Sequence, residues 1–445
     1  MGLTKEHIKS SLPSIVVFAL SFLLHPINNY KLLSNKREYK KQLESIRIKH
    51  KEALSKLKQK KPLRCVFLAL FDSVWKYDNV YLLMEKDERF EPIILVCPIV
   101  NYGEDNMIER MDSCYNLLFS KGYRVLKAYD RTNQKYIDLR EDLHPDIIFY
   151  TSPYKNLIDN RYYIDSFVDI LTVYVPYFYS SNCDYTLSCN IPLHNLVWRR
   201  YVESVFHKKS SAQYSMNKDR NVVVTGFPGV DDFINPLYVP TDVWIDKNHH
   251  KKRIIWAPHH TIAPVGLVYY SCFLKYKDFM LSMAKKYEDS IEFFFKPHPL
   301  LKNKLYELWG KEKTDEYYDI WKNGHNTRYV EGEYVDLFLT SDAMIHDSGS
   351  FIVEYLFVNK PVMRTSNGEE LRSQFSPFGM ACLEQHYIGN NDKDIEQFIQ
   401  NVISSVDPLK DQRTQFVNDV LMPKGGMPSE NIINDIIDSI ENQRI

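Results

Sequence analysis

Three stretches in the second half of this 445-residue chain carry side chains able to hold a phosphate. Trp256-Ala257-Pro258-His259-His260-Thr261 sets two imidazoles and a hydroxyl directly after an apolar run. Phe295-Lys296-Pro297-His298-Pro299 presents a lysine and a histidine between prolines. The prolines fix φ and stiffen the loop, and both side chains can donate to phosphate oxygens. Ile345-His346-Asp347-Ser348-Gly349-Ser350 ends an apolar run in a turn of small residues and then opens a helix. Backbone N–H groups and serine hydroxyls at such a turn suit an anion. Glu354, four residues after Ser350, lies about one turn into that helix, where a carboxylate can accept from a ribose diol. Each stretch alone has a plainer reading: histidines capping the next helix, a Pro-His-Pro turn, an N-cap at Asp347 or Ser348 with Glu354 an ordinary helical residue. Their order on the ends of successive strands of one lobe is the specific signal.

The first half offers fewer candidates. Phe71-Asp72-Ser73-Val74-Trp75-Lys76-Tyr77-Asp78 follows the first apolar strand. Asp72 is the candidate general base for an acceptor hydroxyl, against its commoner role as a turn or cap residue. Trp75, Lys76 and Tyr177 are the candidate acceptor-side contacts, with Lys76 meeting an acceptor phosphate. His144 precedes Pro145 in a turn and reads as structural; His194 has no assignable role. The one Asp-x-Asp match considered for a metal, Asp392-Lys393-Asp394, opens a helix and reads as capping. No essential metal and no cofactor are expected, because cationic side chains and helix N-termini can stabilise a leaving phosphate.

Apolar runs alternate with helical stretches and so position these residues. Runs at 64–70, 92–98, 123–129, 145–152, 171–177 and 221–226 predict a first parallel sheet covered by helices on both faces. A Pro-containing linker, 234–251, lacks clear periodicity. Runs at 253–258, 291–297, 327–332, 343–348 and 361–365 predict a second sheet. Helices near 394–406, 412–421 and 429–442 close the chain. The expected plan is an α/β protein of two doubly wound lobes, 63–233 and 252–445, facing a cleft, the GT-B architecture. Ligands in such sheets bind outside the carboxyl ends of the strands.

Composition narrows the class. Apolar residues make up 44% and charged residues 25%, which excludes disorder and multi-span membrane proteins. The formal net charge of −1 hides a basic arm, residues 1–62, with 14 Lys+Arg against 4 Asp+Glu. A basic arm on a mildly acidic body fits an anionic membrane surface and not nucleic acid, whose partner should be basic on the fold itself. The apolar core of Leu12–Ile27 is shorter than the roughly 20 residues a spanning helix needs. It reads as an interfacial anchor followed by lysines, with a buried helix or a cleaved signal as alternatives. Residues 37–61 read as a helix with a narrow stripe at Leu43, Ile46, His50, Ala53 and Leu57, the face of a coiled-coil pair or a spacer. Seven cysteines without a Cys-x-x-Cys pair suit a reducing compartment. The expected place is peripheral, on the cytoplasmic face of the plasma membrane.

The three motifs in this order resemble those of the CDP-glycerol glycerophosphotransferase family, builders of teichoic-acid-like poly(glycerophosphate) or poly(ribitol-phosphate). Val224-Thr225-Gly226-Phe227-Pro228 with Asp231 is similar to that family's Gly-x-Pro-x-x-Asp element. The 346–354 stretch also resembles the Asp-Ser-Gly-Gly-x-x-x-Glu stretch of non-hydrolysing UDP-N-acetylglucosamine 2-epimerases. The resemblance implies that His259, His298, Ser348, Gly349, Ser350 and Glu354 hold the nucleotide diphosphate of a donor, Glu354 at the ribose. His260 and Lys296 join the diphosphate set from the residue chemistry above. The chain departs from those polymerases at Tyr174-Val175-Pro176-Tyr177-Phe178-Tyr179, where their Trp-His-Gly-Thr motif supplies a histidine close to the chemistry. The function so implied is transfer of a polyol phosphate from a CDP-linked donor to a polymer or lipid-linked acceptor. A sugar transferase using a nucleotide sugar, and a membrane-recruited scaffold with a degenerate site, are the alternatives.

Overall fold

The computed structural model describes residues 14–445 apart from 72–74, 101–102, 183–188, 264–268, 367 and 369–373, with side chains described from residue 36 onward. The first sheet contains β1 Leu63–Ala69, β2 Phe90–Val96, β3 Val125–Lys127, β6 Ile147–Tyr150, β7 Leu171–Tyr174, β8 Arg199–Val202 and β9 Val222–Val224. Its strand order is β3-β2-β1-β6-β7-β8-β9, and every pairing is parallel. A small antiparallel hairpin, β4 Tyr129–Asp130 with β5 Lys135–Tyr136, stands apart. The second sheet contains β10 Lys252–Ala257, β11 Ile291–Phe295, β12 Thr327–Tyr329, β13 Ala343–His346, β14 Val362–Thr365 and β15 Tyr387–Gly389. Its order is β12-β11-β10-β13-β14-β15, again all parallel.

Both sheets therefore follow one scheme: three strands are added in one direction, and then the order reverses beside the first strand. Central strands such as Cys65–Ala69 and Ile291–Phe295 are buried on both faces, which explains their near-continuous apolar sequence. The reversal falls between β1 and β6 in the first lobe and between β10 and β13 in the second. At such a switch the adjoining loops diverge and leave a crevice.

Two segments sit differently from expectation. The helix Ser14–Leu57 is continuous, and its stripe does not await a coiled-coil partner. Leu54 and Leu57 pack into one face of the first lobe's core, and Leu43 and Ile46 into the other. The part of the arm before Pro62 thus includes core of the first lobe, and only its outward face is free to be basic. No helix among the described residues is long and apolar enough to cross a membrane. The last helix, Pro428–Glu441, was expected to close the second lobe; instead Ile432, Ile433, Ile436 and Ile440 pack into the first lobe beside Val80 and Met84.

That return crossing explains Gly226 and Asp231. Gly226 has φ +87, and a Cβ there would lie 2.8 Å from Pro428 Cγ and 3.0 Å from Pro423 Cβ. Asp231 is fully buried; burial pushes its carboxyl up to about 7, opposed by Ser429 at the start of the last helix. The Gly-x-Pro-x-x-Asp element is thus a seat for the crossing chain. The linker is also anchored. Trp244 stacks on Phe294 at 4.1 Å and donates to Thr340 Oγ1 at 3.0 Å, while Asp242 pairs with Arg253 at 2.8 Å.

Two predictions follow from this packing. Leu54→Ala should cost about 2–5 kcal/mol, as core truncations do, read as a lower urea midpoint; an unchanged midpoint would detach the arm helix from the core. Gly226→Ala combines a positive φ with a clash against two prolines, and should destabilise by roughly 1–3 kcal/mol. Full retention of thermal stability in that variant would mean the crossing segment can shift away.

Candidate functional site

The three motifs lie on adjacent strands. Trp256 of β10 is in register with Phe295 of β11 on one side and Ile345 of β13 on the other. The loops are stitched by backbone bonds, Lys296 N–H to Trp256 O at 2.8 Å and His298 N–H to Pro258 O at 2.9 Å. Asp347, only 1% exposed, accepts from the backbone N–H of His259 and from that of Cys272 at 2.6 Å. It therefore does not cap its own helix. It ties the loop after β10 and the start of helix Phe273–Lys286 to the turn after β13.

His259, His260 and His298 converge. Their ring centroids are 4.3 Å (259–260), 5.0 Å (259–298) and 4.2 Å (260–298) apart. Their nearest candidate ligand atoms lie within 4.8 Å of one another, a spacing compatible with a metal ion. The proton positions favour an anion. Leu300 N–H donates to His298 Nδ1 at 3.1 Å, so the neutral ring carries its proton on Nε2. His259 Nδ1 faces Thr261 N–H at 3.4 Å and the Thr261 hydroxyl at 2.9 Å, whose oxygen already accepts from Tyr270 N–H. With these tautomers two rings present an N–H, a donor suited to an anion. Burial first, then neighbouring positive charge, lowers all three: His259 to about 2, His298 to about 3 and His260 to about 4. The trio is neutral near pH 7, a cluster of imidazole donors in a site of low polarity.

The turn Ser348–Ser350 adjoins this trio through Tyr270, whose ring lies 5.4 Å from that of His259. A Cβ at Gly349 would sit 3.1 Å from the Tyr270 ring, so only glycine leaves the turn undisturbed. Ser348 N–H is taken by His346 Nδ1 at 3.1 Å, and Gly349 O accepts from Ser181 Oγ of the first lobe at 3.0 Å. The expected helix after Ser350 is one α-turn, Phe351–Glu354, continued by a 3₁₀ turn, Tyr355–Val358. Its dipole is correspondingly small, so the serines and the turn carry more of any anion contact.

Lys296 and Glu354 lie in a second cluster, centred on Tyr334. Tyr334 Oη donates to Glu354 Oε2 at 2.6 Å. Lys296 Nζ donates to Gly332 O at 2.8 Å and lies 5.6 Å from the Tyr334 ring centroid. Lys76, from the first lobe, lies 5.1 Å from the same centroid. Glu354 is 3% exposed, and burial raises its carboxyl despite Lys76 nearby. Burial lowers Lys296 to about 8. Lys76 therefore reaches across the cleft, and Glu354 is enclosed behind a tyrosine that its own spacing did not reveal.

The other candidates separate. Trp75 is 4% exposed within the first lobe's aromatic core, its Nε1 donating to Asp78, so it is not an acceptor contact. Asp72 lies outside the described residues. Tyr177 is half-buried at the exit of β7, and burial and Tyr154 raise its hydroxyl. Asn391, not the Asp-x-Asp itself, is the N-cap of helix Asp392–Ile403, and Asp394 accepts from Asn390 N–H at 2.9 Å. Sequence reasoning missed Tyr270, Tyr334, Lys304, whose charge reaches all three imidazoles, and Arg364, buried within 5.7 Å of the Tyr270 ring. No local pattern marks them, since each reaches the site from an element that carries no motif.

Known proteins share this fold. No curated protein sequence matches the chain. The wall teichoic acid polymerase TagF, solved as a variant, superposes with a TM-score of 0.52 at 15% identity, covering 92% of this chain and 98% of that one. The UDP-GlcNAc 2-epimerase of Neisseria meningitidis, solved with UDP-GlcNAc, gives a TM-score of 0.52 at 15% identity, covering 84% of this chain and 99% of that one. At these identities they share the GT-B fold of two Rossmann-like lobes. The family described as CDP-Glycerol:Poly(glycerophosphate) glycerophosphotransferase matches residues 180–438. The chain, with its switch-point histidines, is a member of that CDP-glycerol glycerophosphotransferase family.

Proposed function

We propose that this enzyme transfers a glycerophosphate- or ribitolphosphate-like unit from a CDP-linked donor to a surface polymer or lipid-linked acceptor, in teichoic-acid- or capsule-type synthesis. The observation that carries this reading is the meeting of three imidazoles with the Asp-Ser-Gly-Ser turn at the switch between β10 and β13, in a chain of this family. The acceptor oxygen forms a bond to the donor's β-phosphorus as the bond from that phosphorus to the bridging oxygen breaks. The nucleoside monophosphate leaves, and the acceptor's proton passes to a base. Asp72 remains the proposed base. The imidazole N–H groups of His259 and His298 face the phosphate oxygens where charge builds, which serves in place of a divalent ion. Glu354, steered by Tyr334, takes the ribose once the nucleotide displaces part of the cleft's closure. The exposed basic face of the arm helix, with Lys36, Arg37, Lys40, Lys41 and Arg47, lies toward anionic lipid at the cytoplasmic face.

Two expected outcomes test this reading. His298→Ala removes a donor to phosphate, worth roughly 1.5–3 kcal/mol; kcat/KM for the donor should fall tenfold or more with the fold intact. An unchanged kcat/KM would remove His298 from the site. The second outcome concerns protons. Burial holds the free imidazoles at about 2 to 4, so all three are neutral throughout pH 6 to 8 and act there as N–H donors. His298→Ala should therefore lower kcat/KM for the donor by the same factor at pH 6 and at pH 8. A loss confined to pH 6 would mean that a protonated imidazole meets the diphosphate and would contradict a neutral-donor site.

A further inference from the structure

His346 ends β13, directly before the Asp-Ser-Gly-Ser turn, and neither the proposed transfer nor the bonds of Asp347 involve its side chain. It is fully buried, and burial, with His386 and Arg364 nearby, holds its ring well below the usual imidazole range. The ring is therefore neutral and has one nitrogen lone pair to offer. Ser348 N–H donates to Nδ1 at 3.1 Å, so the lone pair is there and the proton sits on Nε2. A side chain accepting from the backbone two residues on is the bond that closes an Asx turn. Here an imidazole makes it.

The ring is gripped from two sides. His386 meets it edge-on at 5.3 Å between centroids, and Phe351, just past the turn, meets it edge-on at 6.4 Å. His386 is itself held by Cys382 O, which accepts from its Nδ1 at 3.0 Å.

This one bond sorts the N–H groups of the turn. Ser348 is buried, and its N–H would be left unmatched without an acceptor inside the lobe. Gly349 O accepts from Ser181 Oγ of the first lobe. A trans peptide sets its C=O and N–H on opposite sides, so Ser350 N–H points away from Ser181. Neither Gly349 N–H nor Ser350 N–H has an acceptor among the described residues. The first N–H of the turn is thus directed inward to His346, and the next two are left for a ligand. Successive backbone N–H groups are donors that suit an anion.

We propose that His346 is a positioning residue for the donor diphosphate: by accepting from Ser348 it sets the turn so that the N–H groups of Gly349 and Ser350 face phosphate oxygens. The proposal rests on the donor reading and adds to it a residue that touches no substrate. An aliphatic side chain would fill the same space and leave the turn undirected.

The test is calorimetric titration of CDP and of cytidine into the full-length protein, for wild type, His346→Asn, His346→Gln and His346→Leu. Asn carries an acceptor oxygen where the imidazole has Nδ1, Gln carries its polar end at the Nε2 position, and Leu has none. The ratio of the cytidine to the CDP dissociation constant reads the phosphate contribution, because a general loosening of the lobe moves both constants. Asn should keep the wild-type ratio, while Gln and Leu should each lower it about tenfold or more, as loss of one charge-assisted hydrogen bond would. If the Leu variant does not fold, the contrast between Asn and Gln decides alone. Gln and Leu variants that keep the ratio would overturn the proposal and leave the donor reading standing. An Asn variant that loses the ratio as fully as Gln would also overturn it, since the ring's packing and not its acceptor would then matter. A wild-type ratio near one would sink the donor reading and the proposal with it.

Discussion

Asp347 is a carboxylate removed from water at the point where three loops meet. An unpaired charge so placed costs several kcal/mol, and burial pushes its carboxyl up to about 7. The cost is offset by two backbone N–H groups, one from His259 and one from Cys272, which belong to other elements. The carboxylate is satisfied only when the loop after β10, the start of helix Phe273–Lys286 and the turn after β13 are all in place. His259 then has a fixed backbone. Its ring is aimed by Thr261, which Tyr270 N–H positions in turn, and Tyr270 packs against Gly349. The imidazole cluster is therefore preorganised by one buried anchor, and a site built to meet charge gains most from donors that need not reorient.

The relation between the lobes rests on shared packing. Tyr179 of the first lobe stacks on Phe378 of the second at 5.8 Å, and the last helix recrosses to the first lobe over Gly226. Cleft residues from opposite lobes thereby meet. Tyr334 has a lysine from each lobe within 5.6 Å of its ring, and the proximity of Lys76 adds to the burial that lowers Lys296. Two ammonium groups near one ring repel each other, which favours an anion beside them, as Glu354 near Lys76 already is.

Much of this was legible in the sequence. Parallel strands buried on both faces must be nearly all apolar, so their runs stood out, and motifs at strand ends must adjoin when the strands do. That reasoning found His259, His260, His298 and the 348–350 turn. It failed where long-range packing decides. The stripe Leu43–Leu57 has the same spacing for a coiled-coil partner as for the lobe it covers. The isoleucines of Pro428–Glu441 show an amphipathic face but not which lobe receives it. Trp75 follows a strand as a cleft residue would, yet Phe67, Tyr77 and Tyr123 enclose it. Glu354 has the spacing of an available carboxylate, and only the fold brings Tyr334 onto it.

In the proposed reaction the switch-point crevice of the second lobe presents the β-phosphate of a nucleotide-linked polyol to an acceptor hydroxyl. The nucleotide released in turnover tests it most directly, because transfer of the phosphate and transfer of a sugar break different bonds. Chromatography of reactions containing CDP-glycerol and a poly(glycerophosphate) acceptor should show CMP formed in step with growth of the acceptor. Release of a nucleoside diphosphate in step with acceptor growth, from this or a nucleotide-sugar donor, would contradict the account.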